Sequence, residues 1–261
     1  MRETTPQVEL IARPSIDLEA LERYLKTVGG ESWLARRRED EEGINPGQLL
    51  VEAAGRACYR SWEPGLNPNV TRVRTDQADY FLNIMKSGHG SVLEHANYTF
   101  VFWDVSRIFT HEAVRHRAGS AFSQESLRFV RLKDIGFRIP ESMEPLRPQM
   151  LQILETLEEF QISAAEHFGL DEEGIPFHQK KEITSAMRRL APEGLSTMLI
   201  WTMNVRTLRH VIQMRTDPGA EEELRIVFDK VGRIMQAEAP LLFQDFVVGE
   251  DGAWTTEHRK V

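Results

Sequence analysis

Arg115-His116-Arg117, followed by Ser126 and Arg128, puts cations and hydroxyls close enough along the chain to hold an anionic, nucleotide-like ligand. Guanidinium groups meet phosphate oxygens in a fork, and serine hydroxyls complete the oxygen shell. From Arg107 to Lys133 there are six Lys/Arg against two acids, Glu112 and Glu125, in a chain whose formal net charge is -8. Steering of an anion depends on where charge lies, so this local field points to a site despite the acidic total. Helical spacing gives Glu112, Arg115 and His116 one polar face. A loop after Gly119 then adds Ser120, Ser123, Gln124, Ser126 and Arg128 as donors. Taken alone, such a triplet also reads as a solvated helix end with a polar loop.

Two further segments could join it. Asn204, Arg206, His210 and Arg215 fall in a helical pattern in which Asn204, Leu208, Val211 and Arg215 share one stripe and Arg206 pairs with His210 at i, i+4. Two polar faces on an otherwise apolar helix suggest burial between ligands or subunits, against the plainer reading of a surface helix with ordinary salt bridges. Arg188, on the preceding helix, can reach the same pocket. The third segment runs from His89 through Ser91 and Glu94 to His95. Its spacing is wrong for H-E-x-x-H on a helix, and Gly88 and Gly90 favour a loop, so it is read as ligand-anchoring groups or a strand-entry turn and no metal is assigned. Cys58, with Leu50, Ala54 and Ala57 at helical spacing, reads as a buried, inert thiol.

The elements that must position these residues are few strands and many helices. Val8 to Ala12 predicts a short strand, and Asp17 caps a helix to Val28. Gly29 to Gly47, with the charged run Arg36 to Glu42, reads as an exposed polar loop with one short helical piece at most. Leu49 to Tyr59 and Thr75 to Lys86 are helical, and Asn97 to Val105, apolar on nearly both faces, predicts an internal strand. Ser106 caps a helix to about Arg117, which Gly119 breaks. A second strand falls within Arg128 to Pro140. Helices then follow at about 145 to 168, 175 to 190, 193 to 215 and 219 to 239, and Gly249 to Val261 is a polar tail prone to disorder. No internal repeat and no regular βαβ alternation appears, so the fold class is α+β. The glycine patterns of the Rossmann and P-loop phosphate sites are also missing.

Composition sets the outer bounds. The 261 residues, 41% hydrophobic, suffice for one compact domain spanning 1 to 261, with a core at about 50 to 245. A sequence pI near 5.6 argues against a nucleic-acid binder that works by bulk phosphate neutralisation. Cys58 is the single cysteine, which excludes an intramolecular disulfide and fits a reducing cytoplasm. Met1 to Arg13 has no apolar leader and no run approaches membrane-spanning length, so a cytoplasmic protein without membrane partners is expected.

Together the three segments resemble the flavin-dependent thymidylate synthases, which carry an Arg-His-Arg motif, a downstream Ser and Arg, and a late helix with Asn, Arg and a terminal Arg. The resemblance covers about residues 50 to 245. It implies a small, mainly antiparallel sheet packed with long helices, and a homotetramer whose active sites are shared between subunits. It implies FAD as cofactor, with Cys58, His89, Ser91, Glu94, Arg115, His116, Arg117, Ser123, Gln124, Asn204, Arg206 and His210 matching flavin positions. Glu112, Arg115, Gln124, Glu125, Ser126, Leu127, Arg128, Arg188 and Arg215 match nucleotide positions, with Ser126 and Arg128 on the phosphate. Arg215 matches the arginine that activates the pyrimidine of dUMP for methylation at C5. Methylenetetrahydrofolate as carbon donor and NADPH as electron source complete the implied reaction. This chain departs from the family pattern twice. Eight residues, Ala118 to Glu125, separate Arg117 from Ser126, one more than usual, placed near Ala121-Phe122. Glu112 also stands where glutamine is common. These departures keep UMP open as an alternative substrate, and a non-catalytic flavin or nucleotide sensor is the alternative from another class.

Overall fold

Tyr98, Phe100 and Phe102 recur every second residue among β-branched and aromatic neighbours, a pattern that extends the backbone and buries one side. The computed structural model describes residues 1–40, 43–129, 134 and 136–261. Its strands are β1 (Arg2–Glu3), β2 (Gln7–Ala12), β3 (Asn97–Ser106), β4 (Ser120–Gln124), β5 (Gly136–Phe137), β6 (Ser196–Asn204), β7 (Val247–Val248) and β8 (Trp254–Thr255). The helices are α1 (Leu18–Val28), α2 (Glu31–Glu39), α3 (Pro46–Tyr59), α4 (Gln77–Lys86), α5 (Arg107–Ala113), α6 (Arg147–His167), α7 (Phe177–Met187), α8 (Val205–Arg215) and α9 (Glu222–Glu238). Short 3-10 turns at Gly90–His95, Glu141–Leu146, Arg188–Leu190 and Pro240–Leu242 join them. None of the described helices is long and apolar enough to cross a membrane.

Four strands form an antiparallel sheet in the order β2-β3-β6-β4. β3 is internal, as its sequence predicts: Phe100 stands opposite Leu10 on one side and Trp201 on the other. Tyr98, Phe100, Phe102, Leu199, Trp201 and Met203 bury one face against α8 and α9, through Leu208, Val211, Phe228 and Val231 among others. Ser106 ends β3 and caps α5, accepting from Phe109 N at 3.0 Å, while its hydroxyl donates to Glu223 of α9. This α+β arrangement with a small, four-stranded antiparallel sheet matches the expected class.

Several boundaries differ from the sequence reading. The helix expected over 193 to 215 is β6 followed by α8. Thr197, Leu199, Trp201 and Met203 are buried and the residues between them are half-buried, but the apolar run Met198 to Trp201 hides this alternation. The stretch Gly29 to Gly47 contains a helical piece as expected, α2, but is not exposed throughout, since α2 buries Trp33, Leu34 and Arg37; Glu41 and Glu42 lie outside the described residues. The helix after Ser106 stops at Ala113, so Arg115-His116-Arg117 sits in the turn that follows. The loop expected after Gly119 is β4, drawn into extended form by pairing with β6. Of the strand expected within Arg128 to Pro140, Gly136–Phe137 pairs in parallel with β1, and residues 130–133 and 135 lie outside the described residues. The polar tail is anchored instead: Trp254 is fully buried and pairs with Val248.

A second apolar cluster of Leu25, Trp33, Leu34, Leu49, Ala53 and Trp62 joins α1, α2 and α3. Beside it lies Glu52, fully buried, which accepts from Trp33 Nε1 (2.8 Å), Arg37 Nε (2.8 Å), Arg56 Nε (2.7 Å) and Gln77 Nε2 (2.7 Å). Burial opposes its charge, but the Arg37 hydrogen bonds and the Arg56 charge prevail and hold its pKa below the ordinary carboxylate value. Glu52→Ala leaves two buried guanidiniums without their counter-charge and should cost about 3–5 kcal/mol in urea unfolding. Because the folded pKa is depressed, this stabilisation is full above the unfolded value of about 4.3 and fades as pH falls through the folded one. Wild-type stability in the variant would show that the cluster contributes nothing.

Candidate functional site

Asn204 ends β6 and begins α8, and its side chain accepts from Thr207 N at 2.8 Å as the helix N-cap. Its own N–H donates to Gly119 O at 3.1 Å, and Thr207 Oγ1 donates to Ala118 O at 2.7 Å. Gly119 has a φ of 63°, and a Cβ there would stand 2.2 Å from Asn204 Nδ2. Only glycine allows so close an approach in that conformation. The turn after the Arg-His-Arg triplet is thereby fastened to the first turn of α8, and the two segments share a cleft of about 470 Å³.

Glu94, Arg115, His116, Arg117, Asn204, Arg206 and His210 line this cleft, together with Ala118, Gly119 and Thr207. Arg206 Nη1 donates to Glu94 Oε1 at 2.7 Å, and its guanidinium packs against Gly90, where a Cβ would lie 2.9 Å from Nε. Both partners of this pair are exposed, so it orients Arg206 more than it stabilises the fold. Arg115 and Arg117 are exposed and make no side-chain hydrogen bond or ion pair among the described residues.

His116 lies over Trp201, with ring centroids 6.2 Å apart and planes 25° apart, and its edge meets His210 at 6.0 Å. Arg215 Nε donates to His116 Nε2 at 2.8 Å, which requires a neutral ring with its proton on Nδ1. Burial, then the charges of Arg215 and His210, push the His116 pKa down to about 4. Arg215 also donates from Nη1 to Glu112 Oε2 at 2.6 Å and from Nη2 to Glu112 O at 3.4 Å. The last residue of α8 is thus tied to the end of α5 and to the middle of the triplet. Asn204 stands at the cap rather than on a helical stripe with Leu208 and Val211, which are buried, while Arg206 and His210 are exposed.

The remaining expected residues fall elsewhere on the chain. Arg128 lines a separate basic cleft of about 440 Å³ with His178, Lys181 and Arg189. Nearby, Phe129 stacks on Phe177 at 6.0 Å and Lys181 lies 5.1 Å over the Phe129 ring. Ser126 Oγ accepts from Arg128 N at 3.4 Å, and Leu127 is buried against Leu195. Gln124 donates to Thr110 Oγ1 at 2.9 Å, Glu125 N donates to Met198 O at 3.0 Å, and Ser123 and Arg188 are exposed. The eight-residue spacer runs through β4 in unbroken register, with no bulge at Ala121-Phe122. His89 lines a third cleft with Tyr59, whose ring centroid is 5.5 Å away. Ser91 is exposed on the adjoining 3-10 turn. Cys58 is exposed, contrary to expectation: Leu50 and Ala54 are half-buried, but burial of α3 stops at Arg56 and the residues from Ala57 to its end are exposed. No group of three or more His, Cys, Asp or Glu among the described residues could hold a metal.

Three contributors escaped the sequence reading: Thr207, which fastens the turn; Trp201, which supports His116; and Ala118, whose carbonyl Thr207 engages. Thr207 was accessible as the third residue after a capping Asn, but Trp201 was hidden by reading β6 as helix.

Residues 44–241 match the family model described as thymidylate synthase complementing protein. The chain is 36% identical over 209 residues to a flavin-dependent thymidylate synthase of Mycobacterium tuberculosis (strain ATCC 25618 / H37Rv), covering 77% of this chain and 80% of that protein. It is 35% identical over 208 residues to one of Mycolicibacterium gilvum, with the same coverage, 77% and 80%. A third, from Corynebacterium glutamicum, is 34% identical over 215 residues, covering 80% of this chain and 82% of that protein.

His116 should titrate at about 4 in a proton NMR titration. Arg215→Leu should move that midpoint up towards the ordinary value of about 6.5 by removing an adjacent cation. With the folded pKa depressed, the unfolded chain alone takes up the proton between about 6.5 and about 4, so stability is unaffected above that window and falls through it. A midpoint of about 6 or higher in the wild type would contradict the half-buried, Arg215-bonded ring.

Proposed function

The chain belongs to the flavin-dependent thymidylate synthase family, and from that premise we propose that it methylates C5 of dUMP to give dTMP, using FAD, methylenetetrahydrofolate and NADPH. The observation that carries this reading is the convergence of the Arg115-His116-Arg117 turn with Asn204, Arg206 and His210 in one cleft, with Arg215 bonded to His116 beside it. The residues present fit a flavin dinucleotide. Arg115 and Arg117 offer guanidiniums not used elsewhere among the described residues, and Ala118 and Gly119 are exposed at the cleft wall. Bound there, FAD supplies the redox chemistry of the reductive methylation.

Uracil C5 is unreactive until electron density is directed to it. Arg215, placed at the pyrimidine edge, stabilises negative charge that develops on the ring, an effect that grows in a water-poor cleft. Glu112 and His116 fix the guanidinium before substrate arrives, so little reorganisation is needed in the transition state. Neutral His116 accepts from Arg215 without adding a competing cation. Ser126 and Arg128 hold the nucleotide phosphate, and Arg188 is a further nucleotide ligand. Since one chain sets Arg128 in a separate cleft, these residues serve the cleft of a neighbouring copy in a homotetramer. Ser91 and His89 complete the flavin surround from the segment that backs Arg206.

Purified protein given dUMP, methylenetetrahydrofolate and NADPH anaerobically should form dTMP, with UMP in competition as the test of sugar preference. Flavin binding with no dUMP-dependent oxidation of reduced flavin would favour the sensor and overturn the enzyme reading of this chain. Arg215→Ala should keep its flavin absorbance and lose about 10²–10³ in kcat. Ser126→Ala and Arg128→Ala should each weaken dUMP binding in calorimetry by about 1.5–3 kcal/mol while leaving FAD affinity nearly unchanged. Equal losses for both ligands would remove Ser126 and Arg128 from the phosphate site.

A further inference from the structure

Residues 242–261 lie beyond the stretch that the family model matches, yet they are fastened to the helix that carries Arg215. Trp254 N donates to Thr216 Oγ1 at 2.9 Å, one residue past Arg215, and the indole Nε1 donates to Asp229 at 3.0 Å. The Trp254 ring lies against Gly232, where a Cβ would come within 2.8 Å of it. Further along, Thr256 Oγ1 donates to Asp245 Oδ2 at 2.5 Å, and Asp245 receives both arms of the buried Arg209 of α8, at 2.7 and 2.8 Å. The chain end is pinned too: His258 N donates to Thr256 Oγ1 at 3.0 Å, and Val261 is buried.

Arg259 therefore sits between two anchors, on a segment held in place and not free to wander. With His210, Gln213, Arg215 and Thr255 it lines a cleft of about 500 Å³ on the Arg215 side of α8, with Met214 supplying apolar surface. Asp217 is the acid of this cleft, and its Oδ1 accepts from Gly219 N at 2.8 Å. Arg215 is neutralised by Glu112, whereas Arg259 makes no hydrogen bond or ion pair among the described residues. A cation on an anchored stretch of backbone at a cleft wall, without a partner of its own, has its donors available to an anionic group.

We propose that Arg259 is a ligand-contacting residue of the Arg215 cleft, binding the carboxylate or phosphate of a substrate that lies against Arg215. This rests on the reading that the Arg215 cleft is where the pyrimidine reacts. Three molecules of that reaction carry such a group: dUMP, methylenetetrahydrofolate and NADPH. Flavin-loaded wild type, Arg259→Gln and Arg259→Lys should each be titrated with the three in turn by calorimetry. Affinity for one of them should fall about tenfold in Arg259→Gln, the scale of one charge-assisted contact, and recover largely in Arg259→Lys. Flavin content and thermal midpoint should stay at wild-type values in both variants. The ligand that responds identifies the anion. Three unchanged affinities, or a Lys variant no better than the Gln variant, would overturn the proposal. Wild-type turnover, measured in parallel, tests the reading of the reaction separately, because the affinities decide the role of Arg259 whether or not dTMP is formed.

Discussion

The approach of Gly119 to Asn204 is the constraint on which the rest of the site depends. One asparagine ends the last residue pair of β6 with β3, caps α8 and receives the turn that follows the Arg-His-Arg triplet. Those three roles need backbone within hydrogen-bond distance on both sides, and the left-handed glycine makes that possible. Without the contact, the triplet would be a charged turn at a sheet edge and α8 a separate helix. With it, cations about ninety residues apart in sequence face one cleft, and Arg215 bonds His116 and Glu112 beside it.

Arginine serves two distinct ends in this chain. Arg37, Arg56 and Arg209 are buried and bond Glu52, Asp245 and backbone carbonyls, so they join elements. Arg115, Arg117 and Arg259 stand at cleft walls with their donors unused among the described residues. Arg215 lies between these extremes, half-buried and held on two sides but still lining a cleft. A buried carboxylate inverts the same logic: Glu52 is stabilising only because its partners are all present, and losing one would leave the rest uncompensated.

The single chain also divides the residues proposed to hold the nucleotide. β4 pairs with β6 and leads away from the first cleft, carrying Ser126 and Arg128 to the neighbourhood of α7. Pairing to a central strand is a long-range choice, and it fixes which side of the sheet each following residue can reach. The separation of Arg128 from Arg117 and Arg206 is thus a consequence of sheet order, and it is the physical basis for proposing shared sites between copies.

Much of this was legible in the residues themselves. The Asp17 and Ser106 caps, the strand at Asn97, the helix after residue 145 and the resemblance carried by Arg115 to Arg117, Ser126, Arg128 and Arg215 all follow from local chemistry, because caps, periodicity and motif spacing are properties of neighbours in sequence. The sequence alone also determined the family. What only the tertiary structure decided is how β6 pairs, that Trp33 and Trp254 anchor segments that look polar, that Cys58 faces outward, and which arginines keep their donors free. Each of these depends on partners far away in the chain, such as Trp201 opposite Phe100 or Arg209 on Asp245. A local pattern cannot reveal whether a side chain's hydrogen bonds are already taken, because that is settled only when distant elements pack.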